Sequence, residues 1–314
     1  MEEIKEVITL DSNWTKLVED VQRIQADCKD VIAKANTLRM SDELEVNGLK
    51  MSAYATSGLC GKLKIPVVYF NRCAQENPHL AAQNVNCWLE NDSREFMLRE
   101  YKDSIRGCLS ASYSKFDAPE ILAAMDNSLD MSKYKIKGSF INEERLHVRI
   151  IEKDMLPIDG EDLFAGFTLD SSDIGRSGLY VRFFIYKQVC TNGLVLPKKS
   201  GELFRQKHIG ITSEEFGKGL IEGFQSFNDI KTNVVEAIKQ NKDTNIDIDK
   251  IVEEVKNRTK LTDEVVDEIM MLADTSYDRS RWGVINGITE VAQKFTLERR
   301  LQLEQIAGEM LTDG

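Results

Sequence analysis

Hydrophobic and polar positions alternate most clearly between residues 177 and 197. Successive residues of a strand point to opposite faces, so this alternation predicts one strand with two different faces. The odd-numbered positions form an apolar core face, and the even-numbered positions present aromatic side chains and an arginine. The core face comprises Leu179, Val181, Phe183, Ile185 and Val189, and the second face comprises Tyr180, Arg182, Phe184, Tyr186 and Gln188.

A β-hairpin is predicted where this strand ends. Asn192 and Gly193 favour the positive φ angles of a tight turn, and residues 194–196 then form a short partner strand. Cys190 and Thr191 complete the predicted hairpin. The polar segment 170–178 before the strand is predicted to be a loop, either a plain connection or a nest of backbone amides that binds an anion.

Three earlier segments have the composition of strands and lead directly into the hairpin. They are residues 134–140, 146–151 and 163–169, separated by polar turns. With the hairpin strand they predict an antiparallel meander of about four strands. Two further strands are predicted at 96–101 and at 64–71, where Pro66 favours an edge position or a strand start.

Helical spacing dominates both ends of the chain. Apolar residues between Trp14 and Val31 recur every three or four positions, which predicts a long amphipathic helix. Its narrow apolar seam suits packing on the same domain or an intermolecular coiled coil. A helix at 80–89 is predicted to carry Trp88 on its apolar side.

Capping boxes mark two helix starts, one at Asp117 with Glu120 and one at Thr212 with Glu215. The second of these helices is predicted to continue to Ile230. The remaining predictions are a small helical insertion at 240–260, a short helix at 261–272 and one long helix at 282–311.

Together these elements predict an α+β protein, a curved antiparallel β-meander flanked by helices with a mostly helical C-terminal third. We divide the chain into three parts. Residues 1–50 form an N-terminal amphipathic helix region, and residues 51–235 form an α+β core domain with the central hairpin. Residues 236–314 form a helical region that packs on the core.

Composition narrows the class of protein. The chain is 42% hydrophobic and 30% charged, with no apolar run of membrane-spanning length and no signal-peptide pattern in MEEIKEVITL. We therefore expect a cytoplasmic protein without membrane contact. The six cysteines include no C-x-x-C pair and the three histidines are far apart, so no metal site, cofactor or disulfide framework is predicted.

Known catalytic motifs are missing from the sequence. It contains no nucleophile elbow, Walker loop or dinucleotide fingerprint, and its adjacent acidic pairs lie near predicted turns. We therefore predict no catalytic residue, and an enzyme ranks third among the possible functions.

Three segments resemble a known family. They are SIRGCLSASYSKFDAPEIL at 104–122, GRSGLYVRFFIYKQVCTNGLVLP at 175–197 and WGVINGITEVAQ at 282–293. Together they are similar to the phage- and plasmid-borne family catalogued as domain of unknown function nine-three-two, with its Leu-Ser-x-x-Tyr turn, V-C-T-N-G hairpin and late Asn-Gly or Asn-Ala helix. The resemblance covers roughly residues 95–310. The matching positions are Arg106, Ser110, Tyr113, Cys190, Thr191, Asn192, Gly193 and Asn286.

The resemblance implies work on replicating or incoming DNA, because members are carried by phages and plasmids. The family has no settled biochemical activity that the resemblance could carry over to this chain. The order of helix, meander and helix is also similar to that of the phage single-strand-annealing recombinases, which is an analogy of topology without a shared motif.

Charge and aromatics converge only around the hairpin. The chain has a net charge of -11, yet residues 176–207 carry seven Lys/Arg and one acid. Aromatic side chains stack on bases and cations follow phosphates, so we predict a single-stranded nucleic-acid-binding protein, a DNA annealing or recombination accessory that forms homo-oligomers. The predicted binding residues are Arg106, Arg176, Tyr180, Arg182, Phe184, Tyr186, Lys187, Lys198, Lys199, Arg205 and Lys207.

Two alternatives stay open at this point. Helices could cover the aromatic face, which would make it core. The protein could instead bind a host or phage protein, as a counter-defence or assembly factor, through its acidic surface and N-terminal helix.

Overall fold

The computed structural model describes residues 7–113, 115–142, 144–188, 192–207, 210–243, 247–277 and 279–313. Cys190 and Thr191 of the predicted hairpin lie outside these ranges. The side chains of Asn192, Lys198 and Lys199 also lie outside the description, although the backbone of all three is included.

The described residues form twelve strands and twelve α-helices. The strands are β1 (Val7–Ser12), β2 (Cys28–Lys34), β3 (Glu45–Val46), β4 (Leu49–Met51), β5 (Glu95–Tyr101), β6 (Ser104–Ser110), β7 (Tyr134–Ile141), β8 (Leu146–Met155), β9 (Leu163–Ser171), β10 (Leu179–Lys187), β11 (Asn192–Val195) and β12 (Glu202–Gln206). The helices are α1 (Trp14–Ala26), α2 (Ala53–Leu63), α3 (Val67–Glu76), α4 (Pro78–Glu90), α5 (Ala118–Ser128), α6 (Lys198–Gly201), α7 (Ser213–Gln225), α8 (Phe227–Asp243), α9 (Ile248–Thr259), α10 (Asp263–Thr275), α11 (Arg281–Val291) and α12 (Leu297–Thr312).

The predicted meander is confirmed as the centre of a larger antiparallel sheet. Its seven strands run in the order β1-β7-β8-β9-β10-β11, and β12 pairs with the first half of β10. The sheet is curled and helices cover it, so the α+β class and the helical C-terminal third are also confirmed. The apolar face of β10 lies in the main core, where Phe183 packs on Phe227 of α8.

A second, five-stranded sheet has the order β2-β5-β6-β4-β3 and its own apolar core beneath α2, α3 and α4. The strand predicted at 64–71 is wrong, because α3 begins directly after Pro66. Proline lacks a backbone N–H and has a fixed φ, which suits a helix start. Phe70 and Cys73, three residues apart, are the buried positions of this helix. A short apolar run does not distinguish a strand from a buried helix.

The N-terminal helix is shorter than predicted. It ends at Ala26, and the β-branched Val31 and Ile32 belong to β2, which pairs with β5. Leu17 and Val21 are buried in the larger core, so the apolar seam of α1 packs on its own chain. This agrees with the first of the two interpretations of the seam.

Trp88 does not lie on the apolar side of α4, as predicted, and is 56% exposed. The buried stripe of that helix consists of alanines and aliphatic residues, with Val85 and Leu89 among them. Small side chains let α4 approach the core closely, and the indole ring is left on the outside.

Two long helices predicted near the C-terminus are broken in the structure. The helix predicted at 212–230 divides at Ser226 into α7 and α8, with Phe224 and Phe227 stacked across the break at 5.3 Å. The helix predicted at 282–311 divides into α11 and α12, because Phe295 adopts extended backbone angles. The capping boxes at Asp117 and Thr212 are both present, as predicted.

Gly193 is not a turn residue. It lies within β11 opposite Tyr186, and its φ is not positive. A Cβ there would lie 2.3 Å from the ring of Phe184, so the position needs glycine for close packing.

Within the described ranges, no helix is long and apolar enough to cross a membrane.

Replacing Gly166 tests how closely β8 and β9 pair in the central sheet. A Cβ at Gly166 would lie 2.0 Å from the carbonyl oxygen of Ile150, so Gly166→Ala must push β8 away from β9. We expect a loss of about 1–3 kcal/mol in the free energy of unfolding, measured by urea denaturation. The control is Gly61→Ala in α2, where no atom lies within 4 Å. It should raise stability by about 0.5–1 kcal/mol. Equal effects at the two sites would contradict the tight pairing of β8 with β9.

Candidate functional site

Polar side chains cover the second face of the large sheet in two rows across neighbouring strands. The strand register places residues of β8, β9, β10 and β12 side by side, and alternate residues of a strand share a face. The first row is His147, Asp170, Tyr180 and Arg205, and the second is Arg149, Thr168 and Arg182.

Helix α12 lies over part of this face and contacts it directly. Glu304, which is fully buried, accepts two hydrogen bonds from Nη2 of Arg149 at 3.0 and 2.7 Å. Further along the helix, a Cβ on Gly308 would lie 2.2 Å from the carbonyl oxygen of Val195 on β11. These contacts fix the helix against the sheet.

The prediction that Phe184 and Tyr186 bind nucleic acid is wrong for the structure as it stands. They are 0% and 6% exposed and pack with Ile151, Phe164 and Val195. The Arg149 guanidinium lies 5.4 Å from the Phe184 ring. The alternative that the aromatic face is covered therefore holds for this half of the strand, where these side chains form a small apolar cluster separate from the two larger cores.

Beneath the N-terminal half of α12, helix and sheet enclose a cavity of about 220 Å³, which we call the α12 pocket. Its lining comprises Arg145, His147, Thr168, Asp170, Ser177, Tyr180, Arg182 and Val195 from the sheet and Glu298, Leu301, Gln302 and Gln305 from α12.

Two arginines and two carboxylates line the pocket, together with His147. Asp170 is hydrogen-bonded to His147, whose Nδ1 lies 2.8 Å from the Asp170 carboxylate. Burial raises the pKa of Asp170, but the attraction of His147, Arg145 and Arg182 outweighs it and the pKa is lowered overall. Among the described residues, neither Arg145 nor Arg182 has an ion-pair partner. Glu298 is exposed at the mouth.

Two hydroxyl groups in the pocket lack partners within the described part of the chain. They belong to Thr168, which is 1% exposed, and Ser177. A buried hydroxyl without a hydrogen bond costs stability, so these groups are suited to a ligand that accepts hydrogen bonds. Guanidinium groups beside hydroxyls, both without partners among the described residues, favour an anion.

Only part of the predicted binding set comes together. Tyr180, Arg182 and Arg205 meet at the sheet edge, and Lys207 follows β12 as an exposed residue. Lys187 lies elsewhere, paired with Glu161 at 2.8 Å.

Two other predicted arginines also have different partners. Arg176 stacks on Tyr54 and lies 3.4 Å from Glu144. Arg106 is buried and donates to Asp173 at 2.9 Å, so it is not available to nucleic acid.

Sequence analysis missed Arg145, Thr168 and Ser177. A signal was present, since Arg145, His147 and Arg149 are polar at alternate positions of a strand segment whose other residues are apolar. Thr168 gave none, because threonine is common in strands.

The two sheets meet at a buried ion-pair cluster around Arg99, which is 1% exposed. Its guanidinium donates to both carboxylate oxygens of Asp30 at 3.0 and 3.1 Å and of Asp117 at 2.7 and 2.6 Å. It also donates to the carbonyl of Asp173 at 2.7 Å. Since Arg106 binds the carboxylate of the same Asp173, two arginines fix the loop at 172–178. The segment therefore acts as a loop anchored by its own chain.

Comparison with known proteins finds no relative of this chain. No family model, curated protein or solved structure matches the chain. The resemblance to the phage- and plasmid-borne family therefore stays a prediction. Within the described residues, no group of His, Cys, Asp and Glu side chains could hold a metal ion.

Replacing Arg99 tests the ion-pair cluster. Arg99→Met would leave the buried Asp117 and the half-buried Asp30 without this guanidinium, and we expect it to cost about 3–5 kcal/mol in a urea unfolding experiment. Arg94→Met is the matched control, because Arg94 also pairs with an aspartate, Asp92 at 2.5 Å, but is exposed. It should cost at most about 1 kcal/mol. A small loss for Arg99→Met would show that the cluster does not hold the sheets together.

Asp117 gives the cluster a pH dependence. Burial raises its pKa to about 6, although Arg99 opposes the shift. A carboxyl with a raised pKa binds its proton more tightly in the folded state, so its contribution to stability falls as the pH rises from about 4 to about 6. The stability of the wild type minus that of Asp117→Asn should fall by about 3 kcal/mol over this range. Asp126→Asn, an exposed position on α5, controls for loss of a carboxyl. A difference that rises with pH would mean that attraction to Arg99 outweighs burial.

Proposed function

We propose that the protein binds single-stranded nucleic acid along a basic edge of the large sheet formed by Tyr180, Arg182, Arg205 and Lys207. The observation that carries the proposal is the arrangement around Tyr180. The guanidinium groups of Arg182 and Arg205 lie 4.9 and 5.5 Å from its ring centroid. Neither arginine has a carboxylate partner among the described residues.

This arrangement supplies both components of sequence-tolerant binding. The ring of Tyr180 is half-buried and offers a surface for a base. The two guanidinium groups, now held against the ring, can turn to the phosphates on either side of that base. Stacking on an aromatic side chain and neutralisation of phosphates together account for most of the affinity of such proteins.

The position at the sheet edge supports an extended ligand. β12 pairs only with β10, and Arg205 and Lys207 near its end are exposed. A strand of nucleic acid can therefore pass along the edge without displacing a helix. With the resemblance to a phage- and plasmid-borne family, this favours single-stranded DNA as the ligand and a role as an annealing or recombination accessory.

Protein binding is the second candidate, and a different surface favours it. Tyr69 on α3 and Leu80 and Trp88 on α4 are exposed, and the contact of Tyr69 with Asn84 places them on one face. Exposed apolar groups that cluster in this way are typical of protein contacts. The seam of α1, on which this alternative first rested, is occupied within the chain.

Fluorescence anisotropy with a labelled oligothymidine, across a salt series, tests the basic edge. Arg205→Glu should remove about one to two phosphate contacts. The plot of log affinity against log salt should therefore become less steep by about one to two. Tyr180→Ser should weaken binding by about 1–3 kcal/mol with an unchanged slope, because it removes stacking and leaves the cations. Arg72→Glu on α3 is the control, since Arg72 is an exposed arginine outside the edge, where it pairs with Glu76 at 3.1 Å.

The control should bind as the wild type does. If the wild type does not bind at low salt, the proposal fails and the surface of α3 and α4 becomes the candidate. If Arg72→Glu weakens binding as much as Arg205→Glu, the attraction is general and does not belong to the edge.

A further inference from the structure

The α12 pocket lies between the basic edge and the contacts that fix α12 to the sheet. Tyr180 and Arg182 belong to both the pocket and the basic edge, so the cavity opens toward the proposed path of the nucleic acid. At its inner end, the Arg149–Glu304 ion pair joins the sheet to the helix. Gly308 packs on Val195 beyond it. A chain cannot continue through these contacts, but a chain end can enter.

The size of the cavity limits what can enter. Pockets that enclose drug-sized molecules measure about 300–1,000 Å³. The α12 pocket, at about 220 Å³, is smaller. It therefore suits a phosphate group with part of its sugar better than a whole nucleotide.

The groups inside the pocket are suited to a doubly charged anion. Arg145 and Arg182 have no ion-pair partner in the described part of the chain, and Thr168 and Ser177 have unused hydroxyls. Thr168 stands opposite Arg182 in the pairing of β9 with β10, so its hydroxyl and the guanidinium start from neighbouring positions. A terminal phosphate carries about −1.5 to −2 charges at neutral pH and three acceptor oxygens. An internal phosphodiester carries one charge.

Other charged or titratable groups lie around this position. Arg149 is bound to Glu304, and Asp170 is bound to His147. Glu298 lies at the exposed mouth, where solvent screens its charge. Arg145 and Arg182 are therefore the cations of the lining that a bound anion can contact.

We infer that the α12 pocket binds the terminal phosphate of the single strand held at the basic edge. The inference rests on the proposed function and extends it, because it makes a phosphorylated strand end the preferred ligand. In this arrangement the last base lies near Tyr180, and its terminal phosphate is held by Arg145, Arg182 and the hydroxyls of Thr168 and Ser177.

The test compares three internally labelled oligothymidines of one length, with a 5′-phosphate, a 3′-phosphate or hydroxyls at both ends. Anisotropy should show that one phosphorylated form binds about tenfold more tightly than the hydroxyl form. Which end is preferred then gives the polarity of the bound strand. Added inorganic phosphate should reduce this preference and leave the binding of the hydroxyl form in place.

Thr168→Val is the most specific variant. It keeps the shape of the side chain and removes a buried hydroxyl that has no partner in the described structure, so it should fold at least as stably as the wild type. We expect it to lose most of the preference for the phosphorylated end while its affinity for the hydroxyl form is unchanged. Arg145→Gln should act in the same direction. Thr232→Val, at an exposed position of α8, is the control and should keep the preference.

The outcomes separate the two proposals. If all three oligonucleotides bind equally, the terminal-phosphate inference is overturned and the basic edge stands. If the preference exists but survives Thr168→Val and Arg145→Gln, the phosphate binds elsewhere and the inference is also overturned. If no oligonucleotide binds, both proposals fail.

Discussion

The buried pairing of Arg99 with Asp30, Asp117 and the loop at Asp173 is the constraint on which the rest of the arrangement depends. One guanidinium joins β2 of the small sheet, the N-cap residue of α5 and the loop that leads into β10. Burying such charges is expensive unless every partner is in place, so the cluster specifies one docking of the two sheets more than it adds stability. The position of the basic edge follows from it, since the anchored loop sets where β10 begins.

Strand β10 separates two different environments. Its odd-numbered side chains complete the main core, and its even-numbered side chains change along the strand from an open polar end at Tyr180 to a closed apolar end at Tyr186. Helix α12 causes the change, because it contacts the sheet at Glu304 and Gly308 and leaves a cavity nearer its N-terminus. The second face of β10, which is continuous in the sequence, is therefore divided in the structure into a packed half and an accessible half.

Local sequence pattern predicted the meander, the α+β class and both capping boxes, because these depend on residues that are close in sequence. It failed at α3 and at Trp88, where a short apolar run fits more than one structure. The burial of Phe184 and Tyr186 depends on a helix more than a hundred residues later, which no local pattern reveals. The same distance hides the pocket, since Thr168 acquires a role only when α12 covers it.

The three tryptophans are distributed unequally between the two cores. Trp282 is buried in the larger core and Trp14 packs against it, whereas Trp88 is on the outside of α4. The indole rings therefore change environment when the larger core opens, and the smaller core has no buried indole to report its own opening. Intrinsic fluorescence follows one half of the molecule, and circular dichroism follows the helices of both. A comparison of the two signals during unfolding distinguishes a molecule that melts as one cooperative unit from one whose sheets separate first.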